Sequence, residues 1–278
     1  MKTLRRACTA LLLCASVLRA QGVIVSPPVL IVDHRTRTAA LDLFNPGDRA
    51  VEVRVELLFG YPVTDSVGEF RLETPDPIPA SFPAATKWLE AYPARATIAP
   101  GGRQTVRFLA SPPATLPDGE YFTRLAISSK FAAARQDAKA DTTRVTTQLN
   151  VEIRAITTLL YRKGAVNTNV TISEVKARRL GDSLEVRARL EKGGNAAYLG
   201  TITYALEDMN GQVVRSVDLP IGIYVPINPR ILIPVNGLSP GPYRVSITAR
   251  ATRKDLLTEG LVPVPDRVVR FDVVLTSR

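Results

Sequence analysis

From residue 22 onward apolar side chains recur at every second position, in short runs closed by Gly, Pro, Asn or Asp, and long helical periods are nearly absent. A chain with this period hides half of its side chains by running extended, one face on a core and the other in water. Val51-Glu52-Val53-Arg54-Val55-Glu56-Leu57 has the pattern, and Leu184-Glu185-Val186-Arg187-Ala188-Arg189-Leu190-Glu191 repeats it. In the second run Arg187 and Arg189 share their face with Glu185 and Glu191, so it reads as a solvated strand face and not as a basic patch. The expected fold class is all-β.

The first twenty residues do not follow this period. Lys2, Arg5 and Arg6 precede the apolar run Ala10 to Leu18, and Ala20 is a small residue suited to cleavage. Residues 1–20 therefore read as a secretory signal peptide, removed from an exported and soluble chain. The run is too short to cross a bilayer, and no other stretch approaches the roughly 20 apolar residues a span requires. Both cysteines, Cys8 and Cys14, fall inside it, so the exported chain is expected to hold neither a disulfide nor a thiol nucleophile. Losing Lys2, Arg5, Arg6 and Arg19 lowers the formal net charge from +10 to +6. That balance is mildly basic and does not suggest a nucleic-acid partner.

Two stretches look like loops. Residues Pro62 to Ala85 carry five prolines, and Ser128 to Arg144 are rich in Ala, Lys, Asp and Arg; neither is expected to supply a core strand. A short helical turn carrying Trp88 is expected between Thr86 and Tyr92. The charged break Arg162-Lys163-Gly164 suggests two domains, residues 21–162 and 165–278. An internal echo agrees with the division: Pro117-Asp118-Gly119-Glu120-Tyr121 in the first part matches Ser239-Pro240-Gly241-Pro242-Tyr243 in the second. A Tyr two residues after a turn Gly suits the tyrosine corner of immunoglobulin-like sandwiches, so Tyr121 and Tyr243 read as structural. The expected architecture is two immunoglobulin-like β-sandwich domains in tandem after the signal peptide.

Chemistry-bearing patterns are sparse. His34 is the only histidine, so a histidine-based triad or a multi-histidine metal site has one residue to draw on. It is expected to be an exposed loop residue. Asp65, Glu69, Glu73 and Asp76 are acidic but lack the fixed spacing of a calcium loop. No phosphate loop, dinucleotide turn or nucleophile elbow occurs. The expectation is a protein without catalytic residues, cofactor or metal, and not an enzyme.

Over roughly residues 23–162 the chain resembles the periplasmic pilus-assembly chaperones, proteins of two immunoglobulin-like domains set at an angle. The resemblance rests on the signal peptide and on Leu41-Asp42-Leu43-Phe44-Asn45-Pro46-Gly47. It also rests on Leu89 through Pro100-Gly101 with Thr105-Val106-Arg107-Phe108, on Gly119-Glu120-Tyr121-Phe122, and on Leu159-Leu160-Tyr161-Arg162. The second domain resembles immunoglobulin-like or fibronectin-like modules in general.

The resemblance implies a periplasmic location and secreted, pilin-like subunits as partners, with an outer-membrane assembly platform as a further one. It implies that the last strand of the first domain lends an edge to a subunit lacking a strand. The matching segment is Val145 to Ile156, in which Leu149, Val151, Ile153 and Ala155 fall on one face as candidate partner-binding residues. Read from the residues alone, the same alternation also describes an ordinary core strand. The family's basic pair, which holds a subunit's terminal carboxylate, aligns here with Val29 and Thr158 and is missing. Arg35, Arg37, Arg154 and Arg162 are the nearby guanidinium groups, with Arg154 and Arg162 the candidate carboxylate anchors. The rival reading is a structural or adhesive surface protein in which the sandwiches are fibre subunits or spacers.

Overall fold

The computed structural model describes residues 22–132, 151–256 and 260–276. The expected signal peptide, Leu149 and the segment before it lie outside these residues. The described chain is built from strands, with one single-turn 3-10 helix at Thr86–Trp88.

Apart from one two-stranded hairpin, the strands up to Lys163 form two sheets. One has the order β1 (Ile24–Ser26), β3 (Thr38–Phe44), β9 (Arg103–Ala110), β7 (Leu89–Tyr92). The other has the order β2 (Val29–Asp33), β11 (Glu152–Lys163), β10 (Gly119–Phe131), β4 (Val51–Leu58), β8 (Arg95–Ile98). Pro27 and Pro28 separate β1 from β2. Prolines carry no N–H for a ladder, so pairing stops there and the chain passes from one sheet to the other. Leu41, Leu43, Val106 and Phe108 from the first sheet meet Leu30, Val53, Leu125, Ile127, Leu159 and Tyr161 from the second in one buried cluster. Each such side chain contributes roughly 1.5–3 kcal/mol on leaving water. Trp88, partly buried, packs edge-on against Tyr161 at the border of this core, ring centroids 4.7 Å apart.

From Thr168 onward a second sandwich repeats the plan. β12 (Thr168–Leu180), β13 (Ser183–Gly194) and β16 (Arg230–Pro234) face β15 (Val213–Ile223), β14 (Tyr198–Glu207), β17 (Gly241–Arg250) and β18 (Arg267–Leu275). Val186, Leu190, Tyr204, Ile223 and Ile247 lie in its core. The fold is all-β, two sandwiches in tandem. Both tyrosine corners form: the Tyr121 hydroxyl donates to the Pro117 carbonyl and that of Tyr243 to the Ser239 carbonyl, each at 3.0 Å.

A third cluster draws on both sandwiches. Phe59, Phe122 and Leu160 from the first pack with Ala197, Leu199, Tyr224 and Leu261 from the second. Phe122 of β10 and Leu160 of β11 thus look toward the second sandwich, while Leu125, Ile127, Leu159 and Tyr161 look into the first core.

Three sequence expectations need correction. Ser128 to Phe131 continue β10, because Ser129 and Lys130 keep their ladder with Ile153 and Glu152. Inside the proline-rich stretch, β5 (Tyr61–Thr64) and β6 (Phe70–Glu73) form a hairpin. His34 is partly buried, and its Nδ1 hydrogen-bonds the hydroxyl of the buried Tyr161.

Candidate functional site

Strand β11 is twelve residues long but unequally flanked. Along one side it pairs with β10 over its whole length, Glu152 to Lys163. Along the other it pairs in parallel with β2 only from Thr158 to Arg162. Residues Glu152 to Thr157 therefore present an edge with no ladder partner among the described residues, and an edge of this kind is a template for another strand.

The side chains on this stretch alternate. Val151 and Ile153 are 40% and 37% exposed, while Ala155 is half-buried. They share the face of the fully buried Leu159 and Tyr161, continuing the line of the core out to where it meets solvent. Ile153 is only flanked: a Cβ built on Gly22 lies 3.4 Å from its Cδ1, and its carbonyl accepts from Ser129 Oγ at 3.3 Å. On the opposite face stand Glu152, Arg154 and Ile156, the last 46% exposed. That face borders a polar groove of about 490 Å³ lined by Glu52, Arg54, Arg95, Lys130 and Glu152.

The two candidate anchors have different surroundings. Arg154 is half exposed beside the edge, its Nη2 3.7 Å from Glu56 Oε2. Arg162 is turned inward: its Nε donates to Glu120 Oε2 at 2.8 Å, and the Glu120 side chain is almost fully buried. The other oxygen of Glu120 accepts from the backbone N–H of Ala197 at 3.0 Å, so this carboxylate joins the two sandwiches. Arg154 and Arg162 stand eight residues apart on an extended strand, roughly 27 Å. The fold does not bring them together.

It brings another cation to the positions where the resemblance expects one. Thr158 is paired with Val29 on one side and with Arg124 of β10 on the other. Arg124 is only 7% exposed. Its Nε donates to the Gly60 carbonyl at 2.8 Å, its Nη1 donates to Thr158 Oγ1, and its guanidinium lies 4.6 Å from the centroid of the Tyr224 ring. Its Nη2 is buried without a hydrogen-bond partner, and no ion pair forms between Arg124 and a carboxylate of the described residues. Burial pushes the Tyr224 phenol above its ordinary value, with the Arg124 cation pulling against that shift. A shielded guanidinium with an idle N–H group is suited to receive an anion. The sequence signal for it is a charge inside Tyr121-Phe122-Thr123-Arg124-Leu125-Ala126-Ile127, a run covered on both faces. Alternation does not reveal that signal, because a strand covered on both faces does not alternate.

Near this layer an apolar cavity of about 570 Å³ opens between the sandwiches, lined by Pro27, Pro28, Val29, Ile31, Leu199 and Leu256. Among the described residues no helix is long and apolar enough to cross a membrane, and no group of three or more His, Cys, Asp or Glu is placed to hold a metal ion.

No family model matches the chain, and no curated protein matches it. Solved structures similar to it are those of pilus chaperones. The YadV chaperone is 15% identical with a TM-score of 0.46, the match covering 90% of this chain and 99% of that one. The CsuC–CsuE chaperone and tip-adhesion-subunit complex of Acinetobacter baumannii gives 12%, 0.45, and 89% and 97%. The Salmonella enterica SafA pilin in complex with the SafB chaperone gives 14%, 0.39, and 91% and 96%.

Proposed function

We propose that this is a periplasmic binding protein, not an enzyme, which acts as an assembly chaperone by adding the edge of β11 to secreted, pilin-like subunits. The observation that carries the reading is the unpaired stretch Glu152 to Thr157 with Val151 and Ile153 exposed beside it. Folded proteins usually blunt such edges with charges or cover them. Here the core-side face stays apolar, Val151, Ile153 and Ala155, so an added strand gains main-chain hydrogen bonds while its parent domain gains apolar side chains at alternate positions. Leu149 extends the same face in sequence and completes the proposed set. The partner class comes from the sequence resemblance, as does an outer-membrane platform as a further partner. The same proposal divides the chain into domains 21–162 and 165–278, with the linker at Gly164.

The same reading assigns the carboxylate of the bound segment to Arg124, in the layer of Val29 and Thr158, with the half-exposed Arg154 as an outer cation. Arg162 is already held by Glu120.

The test is purification of the tagged, exported protein from the periplasm of its own host. Small β-rich subunits are expected at equal ratio, and Val151→Asp with Ile153→Asp should weaken their binding at least tenfold while melting stays within a few degrees of the parent. Arg124→Met separates the anchor from the edge. It removes a buried cation that has no carboxylate partner but also leaves the Gly60 carbonyl and the Thr158 hydroxyl without their donor, so folding of the variant is checked by circular dichroism, while subunit binding should fall. Retained binding in the Asp variants overturns the edge, and retained binding in Arg124→Met overturns the anchor. Recovery of the protein alone or in self-assemblies favours a fibre subunit or spacer.

A further inference from the structure

The β5–β6 hairpin belongs to the first sandwich by chain order, yet its turn lies on the second. Asp65 builds the turn: its Oδ1 accepts from the N–H groups of Val67 and Glu69 at 3.0 and 2.9 Å, and its carbonyl accepts from Gly68 N at 3.1 Å. The turn then meets three points of the other half. Thr64 Oγ1 accepts from Asn228 N at 2.8 Å, the Gly68 carbonyl accepts from Arg230 N at 3.0 Å, and the Ser66 carbonyl accepts from Arg187 Nη2 at 3.2 Å. The Arg230 guanidinium spans the junction, 3.7 Å from Glu69 of the hairpin and 3.5 Å from Glu185 of β13. The approach leaves no room for a side chain at Gly68, since a Cβ there would lie 2.7 Å from Arg230 Cβ and 2.8 Å from its N. Gly68 also has φ +88°, a conformation that L side chains rarely adopt.

We infer that this hairpin is a strap that fixes the angle between the two sandwiches, with Arg230 as its positioning residue. Apart from the apolar cluster that both sandwiches share, the other backbone ties lie near the pivot. The single covalent connection runs through Gly164 to Asn167, and Glu120 N meets the Asn195 carbonyl beside it at 3.0 Å. Contacts close to a pivot resist rotation weakly, and two sandwiches joined by one linker are expected to move against each other. Arg187 lies seven residues along β13 from Gly194, roughly 23 Å farther out. Polar contacts at that distance act on a long lever, so a few hydrogen bonds there restrict rotation more than the same number at the linker. The cleft between β10, β11 and Tyr224 is thereby held in one geometry before any partner arrives. This inference does not depend on what the cleft binds.

The experiment is a distance measurement on the free, exported protein, with spin labels on cysteines introduced at the exposed positions Glu90 and Gln212, one in each sandwich. The parent should give one narrow distribution. Gly68→Val should at least double its width or shift its mean by several ångströms, with circular dichroism unchanged. Thr64→Val combined with Arg230→Gln, milder at the backbone, should act in the same direction and keeps the test open should Gly68→Val fail to fold. A folded variant of either kind whose distribution has the parent's mean and width overturns the strap.

Discussion

Arg124 and Tyr204 both bury a polar group with an unmet hydrogen bond, and their surroundings give them different meanings. Arg124 keeps two good acceptors and an aromatic face, and it lies where the two sandwiches meet. Tyr204 lies deep in the second core, its hydroxyl has no partner, and burial alone pushes its phenol well above the ordinary value. An unmet buried hydroxyl costs more than the methylene-sized space it fills, so Tyr204→Phe should raise stability by about 1 kcal/mol. Urea unfolding followed by circular dichroism checks this. A loss of similar size instead would mean that the hydroxyl has a partner in solution. Arg124 was legible only as a charge in an apolar run; its significance depends on Thr158, Gly60 and Tyr224, which lie far from it in sequence. The tyrosine corners were legible because Gly-x-Tyr and its acceptor four residues upstream are one local unit.

At the scale of elements, alternation identified the strands and the apolar face of residues 151–155, but not that the edge beside them is open. That openness is set by β2, whose first residue Val29 pairs with Thr158 because Pro27 and Pro28 move the chain to the other sheet just before it. No pattern within β11 records where a remote partner begins. The β5–β6 hairpin was hidden for another reason: prolines argue against core strands, and this pair is a surface ribbon that uses Pro62 without needing a core. The strip β12–β13–β16 supplies an electrostatic prediction. Glu185 on β13 takes two hydrogen bonds from Arg178 on β12 and lies near Arg230 on β16. The Arg178 bond holds its carboxyl below the ordinary 4.5, against the opposing effect of burial. A carboxyl whose folded value is lowered stabilises at neutral pH, and that contribution is lost as pH falls through the folded value. Glu185→Gln should therefore be less stable than the parent at pH 7, with the difference shrinking toward zero as the solution is acidified below the ordinary carboxylate range. Unfolding curves at a series of pH values check the sign. A difference that grows on acidification would place the pair outside the folding equilibrium.

For the whole molecule the question is whether two sandwiches make one cooperative unit. Each has its own core, and separate cores favour separate unfolding. Against that stand the cluster around Phe59, Phe122, Leu160, Leu199 and Tyr224, the buried Glu120 that bonds both Arg162 and Ala197, and the hairpin contacts at Asn228 and Arg230. Trp88 is the only tryptophan and lies in the first core against Tyr161, so its fluorescence reports the first sandwich. Ile247 is fully buried in the second core. Truncating it, Ile247→Ala, should cost about 2–5 kcal/mol through lost burial and the cavity left behind. If the shared cluster and the strap couple the halves, the Trp88 transition falls with it, by about 5–15 °C for a unit of this size, although no atom near Trp88 has changed. If the halves unfold separately, the Trp88 transition stays at the parent temperature while circular dichroism shows an earlier one. The coupled outcome is expected, because Leu160 and Phe122 on β11 and β10 cannot leave the second sandwich without exposing their apolar surface. The strands that line the cleft are thus held by the same contacts that hold the molecule together.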